Sequence, residues 1–265
     1  MKSLKPFAAV LLLCILLPAC SGGSGSINLF SVQDDIKLGR EMRDEILNNT
    51  VEYKIWSREK HPDAYLYLDS LRNEIMRSGK VEYRDAFDWE LYIIKDNGVE
   101  NAFCLPGGYI FVYTGLVQGM KSEDELAGVL AHEIAHADRR HSTAALTKEY
   151  GVGILLSIIL GEDYEMVSRL VGSMISLEYS RDNEKEADRK SVEYLCNTRF
   201  DAAGSARYFK KLSEDDGEQE VPEFVSTHPS HENRVSLIEE EKKKQGCEEK
   251  KAKEYAFTHI KALFE

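Results

Sequence analysis

The chain of 265 residues has room for one large domain or two small ones, and its 43% apolar content is ample for a core. Whole-chain disorder and collagen-like or coiled-coil classes are thereby excluded. Acidic side chains number 46 against 34 basic ones, a formal charge of −12; no basic stripe offsets phosphate charge, so nucleic acid is excluded as a partner.

Lys2 and Lys5 form a positive leader start, and Phe7 to Leu17 is an apolar run too short to span a bilayer core of ~30 Å. Residues 1–19 therefore read as a cleaved signal peptide. Leu17-Pro18-Ala19-Cys20 resembles the bacterial lipobox, with Cys20 as the lipidated residue, although Pro18 replaces the usual small or hydroxylated side chain. Residues 20–30, rich in Gly and Ser, form a flexible tether. Ser21 after the cysteine resembles lipoproteins sorted to the outer membrane of a Gram-negative cell, which places the chain on the inner leaflet, facing the periplasm. The alternative is an ordinary secretory leader with a chance cysteine. Export leaves Cys104, Cys196 and Cys247 in an oxidising compartment, enough for one bridge and one leftover. Cys104 lies in an apolar stretch, so Cys196 with Cys247 is the expected pair, against three free thiols.

Apolar residues recur at three- and four-residue spacing from Ser31 to Asn49 (Ile36, Met42, Ile46) and from Pro62 to Ser78 (Leu66, Leu71, Ile75), predicting two amphipathic helices. Phe87 to Lys95 reads as a strand closed by the Asp96-Asn97-Gly98 turn. Asn101 to Pro106 and Tyr109 to Thr114, around Gly107-Gly108, read as a hairpin-like pair. Ser122 with Glu125 is a capping box that opens a helix reaching His141. Gly151 to Leu160 is almost wholly apolar; as a helix it would cover only ~15 Å, so it is expected to lie buried under the active site rather than to span a membrane, with a lid or membrane-dipping hairpin as the alternative. Helices follow at Tyr164 to Leu177 and Asn183 to Leu195, then an acidic loop at Glu214 to Glu223 and an exposed mixed-charge helix at Glu239 to Lys251. The balance predicts an α+β domain, mostly helical, with one small mixed sheet beside the Ser122 helix. It occupies residues 31–240, with a charged helical tail at 241–265.

His132-Glu133-Ile134-Ala135-His136 is an HExxH sequence inside that helix, and spacing of four brings both imidazoles to one face while Glu133 reaches a metal-bound water. The helix is apolar nearly all round, through Leu126, Ala127, Val129, Leu130, Ala131, Ile134 and Ala135, and is therefore buried. Burying unpartnered polar groups there costs ~2–7 kcal/mol each. A single zinc ion is the expected partner. Six residues after His136 stands Ser142, not histidine, which excludes the metzincin arrangement, and His141 is expected on the surface. Glu184 and Asp188, four apart, share a helix face from which Glu186 turns away. Glu184 is the expected third ligand. Asp188 is expected to accept the outer N–H of a ligand histidine, against the alternative of a surface carboxylate. Gly108, Tyr109, Ile110 and Phe111 read either as a cleft-edge strand that binds an extended polypeptide or as an ordinary internal strand. His228 has two functional readings, an oxyanion donor or an occupant of the fourth metal position, against a plain helix cap; Arg234 would hold its loop or add positive charge.

Asn101-Ala102-Phe103, Pro106-Gly107-Gly108, the HExxH sequence, Tyr179-Ser180-Arg181 with Glu184 and Ala187-Asp188, and His228-Pro229 with Arg234 together resemble the HtpX and CAAX-endopeptidase-like zinc metallopeptidases, metallopeptidase family forty-eight, in their small periplasmic lipoprotein branch. The resemblance runs from Ser31 to about Glu240. It implies a gluzincin-type domain with Glu184 as third ligand, Glu133 as acid/base, and clearance of misfolded or misassembled envelope proteins, with outer-membrane assembly components as partners. The membrane spans of prenyl-processing members are missing, so their substrate does not carry over. Rival readings are a chaperone-like assembly factor with latent, gated proteolysis, and a processing enzyme with one dedicated substrate. Replacing Cys20 by Ala is expected to move the protein out of the membrane fraction or to stall leader removal, as fractionation and intact mass would show; full membrane retention with normal leader removal would contradict the anchor.

Overall fold

The computed structural model describes residues 28, 30–161, 164–214, 223–228, 233–250 and 254–265. The expected leader, Cys20 and nearly all of the tether, most of the acidic loop, and Pro229 lie outside the described residues.

Helix α1 (Val32–Asn48) opens on a reciprocal box between Ser31 and Asp34 and turns Ile36, Leu38, Met42 and Ile46 inward. Helix α2 (Pro62–Arg77) starts on its proline, where the missing N–H costs nothing. Its buried face is Tyr65, Leu68, Leu71 and Ile75, whereas Leu66, expected on that face, is exposed. Three strands follow, β1 (Leu91–Ile94), β2 (Ala102–Leu105) and β3 (Tyr109–Tyr113), in the order β1-β3-β2. β2 and β3 form an antiparallel hairpin, and β1 lies parallel to β3 with Leu91 opposite Ile110. Gly107 makes the hairpin turn at φ 78°, and a Cβ there would come within 2.7 Å of Ile36 Cα.

This order corrects the reading of Gly108, Tyr109, Ile110 and Phe111 as a cleft-edge strand. Strand β3 is central and hydrogen-bonded on both sides, so its main chain has no edge to offer. The sheet edge toward the HExxH helix is β2 instead. Alternation along β3 sends Ile110 and Val112 into one core and Tyr109, Phe111 and Tyr113 into the other, so the sheet is covered on both faces.

Helix α3 (Thr114–Gly119) is short and leads into α4 (Glu123–Asp138), whose Ser122 cap accepts from Glu125 N at 3.3 Å. The Glu125 carboxylate takes the Lys121 N–H instead of returning to Ser122. The helix does not continue to His141. Arg140 sits in the left-handed region at φ 58° and a new helix, α5 (His141–Tyr150), departs from it. Helices α6 (Val152–Ile159) and α7 (Tyr164–Ile175) pack with α1 and α5 on the second core. The run 151–160 is thus half-buried rather than enclosed: Leu155, Ile158 and Ile159 face inward while Leu160 is 69% exposed, because only one flank has partners. Among the described residues no helix is long and apolar enough to cross a membrane.

Helix α8 (Arg181–Leu195), capped by Ser180, lies against α4, and α9 (Gly204–Glu214) crosses α4 where a Cβ on Gly128 would meet Ser205 N at 2.2 Å. Helix α10 (Glu223–Thr227) precedes α11 (Arg234–Lys244), and α12 (Glu254–Lys261) ends in a 3-10 turn at Ala262–Phe264. The charged tail is largely exposed as expected, although its helix ends at Lys244 and it is tied down at a few points. Lys242 is buried against Asp201 at 2.9 Å, Phe257 and Phe264 enter the first core, and Cys196 and Cys247 are joined with Cα atoms 5.0 Å apart. Cys104 is a buried free thiol. A link across 51 positions removes loop entropy from the unfolded chain. The Cys196→Ser, Cys247→Ser double variant is expected to lose about 2–4 kcal/mol in urea unfolding, with non-reducing peptide mapping of the parent showing the pair; unchanged stability would contradict the link.

Candidate metal centre

Helices α4 and α8 meet along the faces that carry His132, His136, Glu184 and Asp188, all buried. One turn of α4 separates the two imidazoles, as spacing of four requires. Their Nε2 atoms stand 3.0 Å apart, and Glu184 Oε1 lies 3.3 Å from His136 Nε2. From the end of α10, His228 brings Nδ1 to 3.3 Å from His132 Nε2 and 3.1 Å from Glu184 Oε1. Four donors, from His132, His136, Glu184 and His228, fall within 4.8 Å of one another. For metal–ligand bonds of about 2.0–2.1 Å a tetrahedron has edges of ~3.3 Å, close to these separations.

The residues fit a metal on two further grounds. Two inward-facing Nε2 lone pairs at 3.0 Å repel unless a proton or a cation lies between them. Glu133 Oε1 and Glu184 Oε2 are buried without a hydrogen bond, although Arg234 Nη2 is 3.1 Å from the latter. Burial and Arg234 push the His132 imidazole down, yet hydrogen bonds to Asp188 and Glu184 outweigh both and raise it to about 9. Burial would raise Glu184, but the charge of His228 and hydrogen bonds from three histidines hold it well below the usual carboxylate range. The carboxylates thus favour positive charge at His132, whereas burial holds the His136 imidazole well below its usual range despite Glu184.

Glu133 is 1% exposed and sits one step round α4, its Oε1 3.3 Å from His228 Nε2. Burial pushes its carboxyl up, against the pull of His228 and His132. Asp188 Oδ1 lies 3.0 Å from His132 Nδ1, so the carboxylate accepts that N–H and turns Nε2 into the cluster. Arg234 gathers the surrounding groups. Its Nη2 donates to Asp188 Oδ1 at 2.9 Å, its Nη1 donates to the His228 carbonyl at 3.2 Å, and its guanidinium stacks 3.7 Å over the Phe209 ring. Phe224 stacks on the His228 imidazole with centroids 4.4 Å apart, and its own N–H donates to the Glu100 carbonyl.

His141 corrects its expected surface position: it is 2% exposed, with Nδ1 3.2 Å from His136 Nδ1. The cause is the left-handed Arg140, which folds the chain back over the end of α4. Glu186 does stay out of the donor cluster, but it reaches His141 Nε2 at 3.4 Å and Arg139 Nε at 2.8 Å. Tyr179, read from the sequence only as part of a pattern, lays its ring 3.9 Å from that of His136 and bonds Ser142 Oγ at 2.8 Å. Its signal was position, just ahead of the Ser180 cap that orients α8.

Hydrogen bonds from Tyr113 N to the Asn101 carbonyl and from Gly108 N, in the turn, to the Leu105 carbonyl leave the amide groups of Ala102 and Cys104 on the outer edge of β2. Asn101 Oδ1 accepts the Ala102 N–H at 2.8 Å, and Ser142 Oγ reaches the Cys104 carbonyl at 3.4 Å. Strand β2 packs on α4, and Ser142 links the Cys104 carbonyl to Tyr179, whose ring lies against His136.

Comparison with known proteins agrees with this geometry. Residues 62–242 match the model of peptidase family M48. A mitochondrial metalloendopeptidase OMA1 from Schizosaccharomyces pombe is 32% identical over 184 residues, covering 68% of this chain and 53% of that protein. A putative beta-barrel assembly-enhancing protease from Vibrio cholerae is 30% identical over 184 residues, 64% of this chain and 37% of that protein. The human mitochondrial OMA1 is 27% identical over 217 residues, 73% of this chain and 41% of that protein. The matches thus span about half or less of each relative's length. With the family match covering most of the described domain, the chain belongs to peptidase family M48.

Proposed function

We propose that the protein is a zinc-dependent endopeptidase, exported and held through a lipid on Cys20 at the periplasmic face of the outer membrane, that hydrolyses extended segments of misfolded or misassembled envelope proteins. The observation that carries this reading is the buried four-donor cluster with Glu133 at its side. Three imidazoles and one carboxylate are a donor set suited to zinc. Bound there, zinc would acidify a water and polarise the scissile carbonyl.

The chain supplies the rest. Glu133 takes the proton of the attacking water and passes it to the departing amine nitrogen. Asp188 holds His132 in the tautomer that ligates, and Arg234 holds Asp188 and the His228 carbonyl in place. An extended substrate would pair with the outer edge of β2 once the Ala102 N–H leaves Asn101 Oδ1 and the Cys104 carbonyl leaves Ser142 Oγ. The bacterial leader and lipobox-like sequence favour the envelope over a mitochondrial setting. The printed name of the Vibrio cholerae relative suggests outer-membrane assembly components as partners.

His228 takes the fourth donor position through Nδ1 and faces the Glu133 base through Nε2. While it stays there, its imidazole takes the fourth donor position and the near side of Glu133 Oε1. Of the two functional readings of His228, the geometry favours the blocking one. The same buried site supports a second reading, a chaperone-like assembly factor whose proteolysis is latent until that segment moves.

In Glu133→Gln, zinc content should stay near one per chain while casein cleavage falls at least ~10²-fold; His132→Ala, His136→Ala and Glu184→Ala should lose the metal as well. Zinc loss in Glu133→Gln would contradict the role given to that carboxylate. His228→Ala should raise basal casein cleavage severalfold with zinc retained. A ~10²–10³-fold fall in turnover with zinc retained would make His228 an oxyanion donor instead.

A further inference from the structure

We propose that His141 and Glu186 are positioning residues that set the tautomer of His136 and so determine how tightly the centre holds its metal. The inference rests on the reading of the four-donor cluster as a metal site. It starts from a chain of contacts leading outward from His136: Nδ1 to His141 Nδ1 at 3.2 Å, His141 Nε2 to Glu186 Oε2 at 3.4 Å, and Glu186 Oε1 to Arg139 Nε at 2.8 Å. Arg139 is anchored in turn on Glu82 at 2.6 Å.

Proton bookkeeping along this chain allows one arrangement suited to ligation. An ionised carboxylate only accepts, so the proton between Glu186 and His141 resides on His141 Nε2. The neutral imidazole then presents a bare Nδ1 toward His136. For a bond to form there, His136 Nδ1 must carry the proton and donate it. His136 Nε2 is left as a lone pair aimed into the cluster, 3.3 Å from Glu184 Oε1. Asp188 does the same for His132 in a single link. The two imidazoles from α4 are therefore fixed by separate acceptors, one direct and one relayed through a second ring.

The backbone is arranged to put His141 there. An uninterrupted α4 would carry position 141 away from the Nδ1 side of His136; the left-handed Arg140 reverses the chain instead. Arg140 is held in that conformation by its guanidinium, which pairs with the buried Asp35 and donates to the Ser31 carbonyl at 3.1 Å, and Thr143 Oγ1 closes the set on Asp35 at 2.8 Å. Strain of this kind persists only where surrounding contacts enforce it.

The test measures zinc dissociation constants by chelator competition, with cobalt(II) absorption spectra, on the full-length protein in detergent, comparing the parent with His141→Leu, His141→Asn and Glu186→Gln. Removing a group that orients a metal-ligating histidine lowers metal affinity by about 10–100-fold. His141→Leu is expected to show that loss and an altered cobalt spectrum. His141→Asn, whose Oδ1 can accept from His136 Nδ1, is expected to recover most of the affinity, and Glu186→Gln to lose less than His141→Leu. Affinity in His141→Leu within twofold of the parent would overturn the proposal. So would equal losses in the Leu and Asn variants accompanied by a lowered melting temperature of the metal-free protein, since that pattern marks a purely packing role. A parent chain that binds no zinc would instead defeat the metal reading of the cluster itself, and is distinguished by the parent measurement alone.

Discussion

Everything in this molecule turns on the cost of burying imidazoles and carboxylates between two helices. Helix α4 is apolar nearly all round and must be enclosed, yet it carries His132, Glu133 and His136 into the enclosure, and α8 adds Glu184 and Asp188. Left to one another these groups leave opposed lone pairs and a carboxylate oxygen without a hydrogen bond. A cation among them resolves both at once. The surrounding structure then reads as support: α9 and α11 close over α4 and α8 and bring Arg234, while α5 brings His141 to the far side of His136.

That support also holds His228 against the cluster. His132, His136 and Glu184 already converge on a common centre, and His228 adds the fourth donor; in the proposed reading it fills the position that water and substrate would use. Phe224 stacks on its ring and Arg234 grips its carbonyl. The outer edge of β2 is buried too, so opening the site and exposing the strand are one event in this reading.

Much of this was legible from residues. Spacing of four between His132 and His136, and between Glu184 and Asp188, fixed shared faces, because a helix repeats every 3.6 residues. Alternation and the Gly107-Gly108 turn gave the hairpin. Legibility failed where long-range pairing or a single backbone torsion decides. Nothing local to Tyr109–Tyr113 says that β1 will pair in parallel on its other side, and this pairing made β3 central. Nor does periodicity register that Arg140 leaves the helix, which turned His141 from an expected surface residue into a neighbour of His136. The apolar run at 151–160 shows the same limit, since burial of one flank depends on α1, more than a hundred positions away in sequence, as well as on its neighbours α5 and α7.

The most direct measurement is X-ray absorption at the zinc edge of the resting, as-purified protein. The proposed function predicts one zinc per chain, bound by three imidazole nitrogens and one carboxylate oxygen at about 2.0–2.1 Å with no sulfur. Metal-free protein, or a coordination sphere dominated by water oxygens or containing sulfur, would contradict it.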